Sequence, residues 1–343
     1  MPANKTKPLI LWLDATVAAV ALAVVIGGIT RLTESGLSIT EWKPLAGVLP
    51  PLTSADWADA YAKFLVIPQA QSVHLGITLG AFKALYWWEW VHRLVARLVG
   101  LVIAVPFFWF WARGQVPAPL RNRLMALPLL VAAQGALGWY MVSSGLSVRT
   151  EVSQYRLVAH LGLALVILVV ALWTSASLRA ATEDQRTAAP AGQRWALIAD
   201  LFAVWTFLVI LSGGFVAGLR AGKIFNTFPL MGGQIVPPGY GQLSGFLTNA
   251  FENPAAAQFH HRVLALTTVC AALVLWLWAS LADAPARVVK AQRVVALVAC
   301  VQVVLGITTL LLAVPVAVAA LHQLTAVLLL MATVLAAHAA RRA

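Results

Sequence analysis

Four histidines stand at matching places in a chain that reads twice. "EWVHR" at 89–93 is echoed by "QFHHR" at 258–262, and "RLVAHLG" at 156–162 by "VAALHQL" at 318–324. The repeat assigns His92 and His160 to one half and His261 and His322 to the other. All four fall in long apolar runs, where an ionisable ring is costly without a partner and is a functional candidate by default. Paired imidazoles at one depth are what a haem needs for two axial ligands. The plainer reading is a set of polar side chains bonding across helices, but four in duplicated register favour metal or haem. Zinc suits the pattern less well: two imidazoles per half, with no cysteine or close carboxylate set, leave its shell underfilled. His260 adjoins His261, and neighbours on a helix point about 100° apart, so only one faces inward. Alignment with "EWVHR" selects His261. His74 and His338 are assigned to no site.

The halves differ beside these histidines. Glu89 precedes His92 by one turn and shares its helix face, whereas Gln258 stands before His261. A carboxylate beside one site and a neutral amide beside the other suggest chemistry in one half and cofactor storage in the other. Arg93, Arg97 and Arg262 lie close by. They are candidates for gripping haem propionates, and pairing of Glu89 with Arg93 or Arg97 is the competing structural role.

The elements that must position these groups follow from composition. Of 343 residues, 61% are hydrophobic and only 10% charged, so lipid is the expected solvent. Runs long enough to cross a bilayer begin near residues 9, 88, 124, 156, 196, 258, 294 and 316. The expected fold is an all-α integral membrane protein of eight transmembrane helices, arranged as two pseudo-symmetric four-helix bundles. The first run lacks a small-residue cleavage site and reads as a retained helix. The net charge of +12 does not point to nucleic acid. Lys5, Lys7, Arg113, Arg121, Arg123, Arg179, Arg186, Arg194, Arg287, Lys290, Arg293, Arg341 and Arg342 fall on one side of an eight-span arrangement. That side is expected to be cytoplasmic, with both termini. Cys270 and Cys300 lie within spans and read as buried, inert thiols.

The expected domains are residues 1–180, a polar linker at 181–194, and residues 195–343. Each half carries a long outer loop, about 31–86 and 219–256, rich in Gly, Pro and Trp. Loops of that length are usually functional or disordered. Residues 73–88 are expected to include an interfacial helix of a cap, and "WWEWV" to mark the membrane interface. "GGITR" near 27–31 pairs with "GGFVAG" near 213–218, and "QGALG" (134–138) with "QVVLG" (302–306).

"GGITRLTESGLSITEWKPLAGVLPP", "EWVHR", "NTFPLMGG", "FHHR" and "LHQ" together resemble the heme A synthase family, over about residues 10 to 335. The branch most resembled is that of mitochondria and alphaproteobacteria. The resemblance implies an inner-membrane enzyme that oxidises the C8 methyl of heme O to a formyl group, giving heme A for cytochrome oxidase. It implies a resident heme b on His261 and His322, substrate heme O facing His92 and His160, and Glu89 as the essential acid. Other branches carry cysteine pairs in their outer loops; this chain has none there, so a thiol-linked step does not carry over. Haem sites near the periplasmic rim of a bacterial inner membrane are expected. The implied partners are heme O, an unidentified electron acceptor, the bilayer and the heme O synthase (a protoheme farnesyltransferase), with a homo-oligomer left open and no nucleic acid. The rivals are a di-haem b-type electron carrier without substrate chemistry and a haem transporter or chaperone.

Overall fold

A computed structural model of the chain describes residues 3–43, 46–147, 149–182 and 191–342. Most of the expected linker, 183–190, lies outside the described residues, as does Arg186. Among the described residues the fold is helical, with eight helices long and apolar enough to cross a membrane. The long helices are α1 (Ala3–Leu32), α4 (Leu79–Ala112), α5 (Arg121–Ser143), α6 (Gln154–Thr182), α7 (Ala191–Gly218), α9 (Pro254–Leu281), α10 (Ala286–Leu311) and α11 (Val316–Ala340). Three shorter ones are α2 (Ser54–Leu65), α3 (Pro68–Ser72) and α8 (Phe246–Glu252). The all-α, multi-pass membrane class expected from composition is what forms.

The helix ends follow local chemistry. At α2, Thr53 and Asp56 form a reciprocal cap: Asp56 N–H donates to Thr53 Oγ1 at 3.1 Å and Thr53 N–H to Asp56 Oδ2 at 2.9 Å. Asn253 caps α9 by accepting from Ala255 N–H at 2.9 Å, with Pro254 in the first turn. Just past α1 and α7, Glu34 and Arg220 adopt left-handed backbone, φ 60° and 52°, at corresponding places in the repeat.

Contacts divide the chain into two compact units, Ala18–Ala164 and Met1–Val17 with Leu165–Ala343. In the second, α7, α9, α10 and α11 pack in a closed cycle, each against its neighbour. Their inner faces are small or β-branched, among them Ala272, Val295, Ala296, Ala299 and Val327, which lets helices approach closely. Large apolar side chains point outward instead, Leu197 being 60% and Val274 60% exposed, as a lipid solvent requires. In the first unit α4 packs on α5. There the outer segment folds back as α2 and α3, whose Trp57, Phe64, Ile67 and Ala70 bury against Phe82 and Tyr86 at the start of α4. Ring centroids of Trp57 and Tyr86, and of Phe64 and Phe82, lie 5.0 Å apart.

Several expectations are corrected. Residues 73–88 hold no separate interfacial helix: Thr78 caps α4, and Leu79 onward is already its first turns. The cap is built by α2 and α3. The second span therefore begins at Leu79 rather than near 88, and the last spans but one begins at Ala286 rather than near 294. α10 runs through polar turns before its apolar stretch, whereas the first turns of α4, LGAFKALYWW, are themselves apolar and continue into the span. His92 consequently sits about four turns into α4. Cys270 is exposed on the apolar surface and Cys300 partly so; neither is a buried core thiol, because their positions face away from the helix contacts.

Candidate functional site

Each of the four histidines rests on a glycine of the preceding long helix in its half. A methyl placed on Gly27 would lie 2.9 Å from His92 Nε2, and one on Gly138 3.0 Å from His160 Cε1. In the second unit, a methyl on Gly213 would lie 3.0 Å from His261 Cε1, and one on Gly306 2.8 Å from His322 Cε1. At Gly27 and Gly306 real side chains essentially never approach so closely, and at Gly138 and Gly213 a methyl would force the ring to give by a few tenths of an ångström. Small residues that bring transmembrane helices together here admit an aromatic nitrogen ligand between them. Within each unit the two imidazoles are electrostatic neighbours, His92 with His160 and His261 with His322.

Polar side chains one turn before two of these glycines hold the rings further. Gln134 Nε2 lies 3.3 Å from His160 Nε2 and donates to the His160 carbonyl at 3.0 Å. Gln302 Nε2 lies 3.4 Å from His322 Nε2, and the Gln302 carbonyl lies 3.2 Å from His322 Nδ1. Ser212 Oγ is 2.8 Å from His261 Nδ1. His160 Nδ1 is buried without a hydrogen-bond partner.

Beside His92 and His261, each unit clamps the segment that precedes the histidine-bearing helix to that helix. Glu89 is 2% exposed. Its Oε2 accepts from Ser38 Oγ at 2.7 Å and Ile39 N–H at 2.8 Å, and its Oε1 from Arg93 Nη2 at 2.6 Å and Nε at 3.0 Å. Arg93 goes on to the carbonyls of Ile39 (2.7 Å) and Glu41 (3.1 Å). In the other unit Arg262 donates to the carbonyls of Phe225 (2.6 Å) and Thr227 (2.8 Å), and Gln258 Nε2 to Phe225 (3.2 Å). A carboxylate–guanidinium clamp in one half thus becomes an amide–guanidinium clamp in the other. Arg97 donates to the Lys43 carbonyl at 3.2 Å. Beside the first clamp is a cleft lined by Thr40, Glu41, Trp42, Arg93, Trp139 and Leu146.

The remaining histidines join neither pair. His74 Nε2 lies 3.8 Å from Glu34 Oε2. His260 Nε2 lies 2.9 Å from the Tyr240 hydroxyl, on another face of α9 from His261. His338 stacks edge-on against Trp173 at 5.1 Å.

The family model described as COX15-CtaA, cytochrome oxidase assembly protein, matches residues 10–334. The chain belongs to that family. It is 42% identical to a heme A synthase of Nitrosospira multiformis over 98% of this chain and 94% of that protein. It is 44% identical to one of Maricaulis maris, over 99% and 98% respectively. With one of Sinorhizobium medicae the identity is 45%, over 91% and 84%.

For this COX15-CtaA chain, sequence reasoning picked out the four histidines, Glu89 and the three arginines, and the fold brings His92 with His160, and His261 with His322, together in separate units. It missed Gly27, Gly138, Gly213, Gly306, Ser212, Ser38 and the two glutamines as working parts. A signal was present: "QGALG" and "QVVLG" both place Gln and Gly four residues apart, hence on one face. Two imidazoles per unit, each seated on a glycine, suit a flat macrocycle and offer too few donors for a bare ion.

Proposed function

We propose that the chain is a heme A synthase: an oxidoreductase that converts the C8 methyl of heme O to a formyl group. The observation that carries this reading is the seated imidazole pair in each unit with a buried carboxylate, Glu89, beside only one of them. The first half, residues 1–180, takes the substrate between His92 and His160. The second, 195–343, holds a resident heme b on His261 and His322, with 181–194 as the linker. The name of the relatives, heme A synthase, supports the same product.

The oxidation proceeds in two successive two-electron steps, with the new oxygen drawn from water and the electrons passed to an acceptor outside the chain. His261 and His322 would hold the heme b, which would supply a one-electron relay when bound. Within the chain, the Gly27 and Gly138 seats orient the imidazoles that hold the substrate. Glu89 provides negative charge where positive charge builds as electrons leave the methyl carbon, and takes a proton from the attacking water. To do so it exchanges one of its bonds to Arg93, Ser38 or Ile39 for that water. Arg93, Arg97 and Arg262 are proposed neighbours of propionates, their guanidinium groups already fixed by loop carbonyls. The proposed setting is a bacterial inner membrane with both termini cytoplasmic and the haem sites toward the periplasm. Heme O is too apolar to release into water at low cost, which favours delivery by the farnesyltransferase.

Membranes that make heme O, with and without the chain, are to be extracted and their pigments separated by chromatography and mass. Heme A is expected only with the chain, and Glu89→Gln is expected to lower its yield about 100-fold, the low end for lost acid–base catalysis, while bound haem is kept. Unaltered pigments would support a di-haem carrier or haem transporter instead.

A further inference from the structure

The two imidazole pairs are held differently at the nitrogen that faces away from a ligand. Ser212 Oγ lies 2.7 Å from the Val209 carbonyl, which accepts the single hydroxyl proton, and 2.8 Å from His261 Nδ1. With its proton committed, the serine oxygen accepts from His261 Nδ1–H, and Nε2 is left with its lone pair. His322 repeats the logic with backbone: the Gln302 carbonyl only accepts, so His322 Nδ1, 3.2 Å away, carries the proton. Both rings of this unit therefore carry their proton on Nδ1 and keep the Nε2 lone pair, which in His322 lies 3.4 Å from the Gln302 side-chain amide.

The other unit lacks these ties. The residue before the glycine seat is Ser212 in one half and Ile26 in the other, so His92 is offered no hydroxyl there. His160 Nδ1 is buried without a partner, whereas Gln134 Nε2 donates to the His160 carbonyl and lies 3.3 Å from Nε2, the other ring nitrogen. The same fold thus ties Nδ1 of both rings in one pair and leaves Nδ1 of His160 untied in the other.

We infer that Ser212 is a positioning residue that locks His261 as a permanent ligand, and that Ile26 in the matching place leaves the His92 side free to release what it binds. This rests on the proposed haem function and deepens it: a unit that stores a cofactor needs slow ligand exchange, and a unit that turns over substrate needs fast exchange. Outer-shell partners of ligating histidines typically change metal affinity 10–100-fold. The nearby Val209 carbonyl can take over part of the bond, which places the expected effect at the low end.

The test uses the full chain in detergent, loaded with haem, with Ser212→Ala, Ser212→Thr and Ile26→Ser. Transfer of haem to apomyoglobin and the midpoint potential of each bound haem are measured. Ser212→Ala is expected to release the second-unit haem about 10-fold faster and to shift its potential upward, since the imidazole becomes a weaker donor. Ser212→Thr is expected to restore both. Ile26→Ser is expected to slow release from the first unit, an arm that stands even if Ser212→Ala does not fold. Unchanged potential and release in Ser212→Ala, or unchanged release in Ile26→Ser, would overturn the inference while haem binding stands. A wild-type chain that binds no haem would overturn the underlying function, and this inference with it.

Discussion

The residues that make this chain unusual for a lipid-facing helical protein are small as often as they are ionisable. Gly138 sits against the His160 ring, whereas a methyl at Gly135, one turn earlier in α5, would meet nothing within 4 Å. The pair is a built-in experiment. Gly138→Ala is expected to push His160 from its place and to lower first-unit haem binding about 10-fold or more, the cost of disturbing a ligand's setting. Gly135→Ala is expected to leave binding unchanged and to stabilise by up to about 1 kcal/mol through helix propensity; haem titration and thermal unfolding of both variants decide it. At Glu89 the argument concerns a buried pair. Glu89→Ala strands Arg93 and is expected to destabilise by about 3 kcal/mol, the low end for such breaks, because the Ile39 and Glu41 carbonyls remain as partners. Hydrogen exchange at the Ile39 amide, which donates to Glu89, is expected to quicken in that variant and not in variants of the second unit.

Among elements, the outer segment of the first unit is held by charge as well as by its aromatic cluster. Glu41 bonds Lys43 at 2.8 Å and Lys63 of α2 at 3.1 Å, and these ammonium groups hold its carboxyl below the ordinary range. A group whose folded pKa is depressed contributes stability above its unfolded value and loses it as pH falls through the folded value. The segment is therefore expected to be cut faster by an acid-active protease at about pH 3 than at about pH 6, by a margin that Glu41→Gln removes. The effect is small and screened by salt, because the pair is half-exposed. The same elements mark where sequence reading stopped. The eight spans were legible because twenty-residue apolar runs have few other uses, yet their starts were not, since helices such as α10 run through polar turns before the apolar stretch. The cap's location was misjudged because residues 79–88 have the apolar content of an interfacial helix and belong to a longer one. The four histidines stood out as costly rings in lipid. The glycine seats did not, because glycine is common in membrane helices and gains a role only when a ring from another helix meets it. Ser212 was hidden likewise, since a helical serine most often bonds its own backbone, and here it does that and holds His261 as well.

At the scale of the whole molecule, each half carries the same parts list in the same order: a glycine on the first long helix, a clamp through an arginine, a histidine, a Gln–Gly face, and a second histidine. The departures from the repeat, Glu89 against Gln258 and Ile26 against Ser212, are what the proposed division into a substrate half and a cofactor half rests on. The measurement that bears most directly on this account is the haem spectrum of the purified chain, wild type beside the double variant His261→Ala/His322→Ala, after expression with ample haem and heme O. The account predicts low-spin, bis-imidazole haem in the wild type, loss of the heme b component in the double variant, and retention of heme O on His92 and His160. A colourless wild-type chain, or a double variant that keeps its full heme b signal, would contradict it.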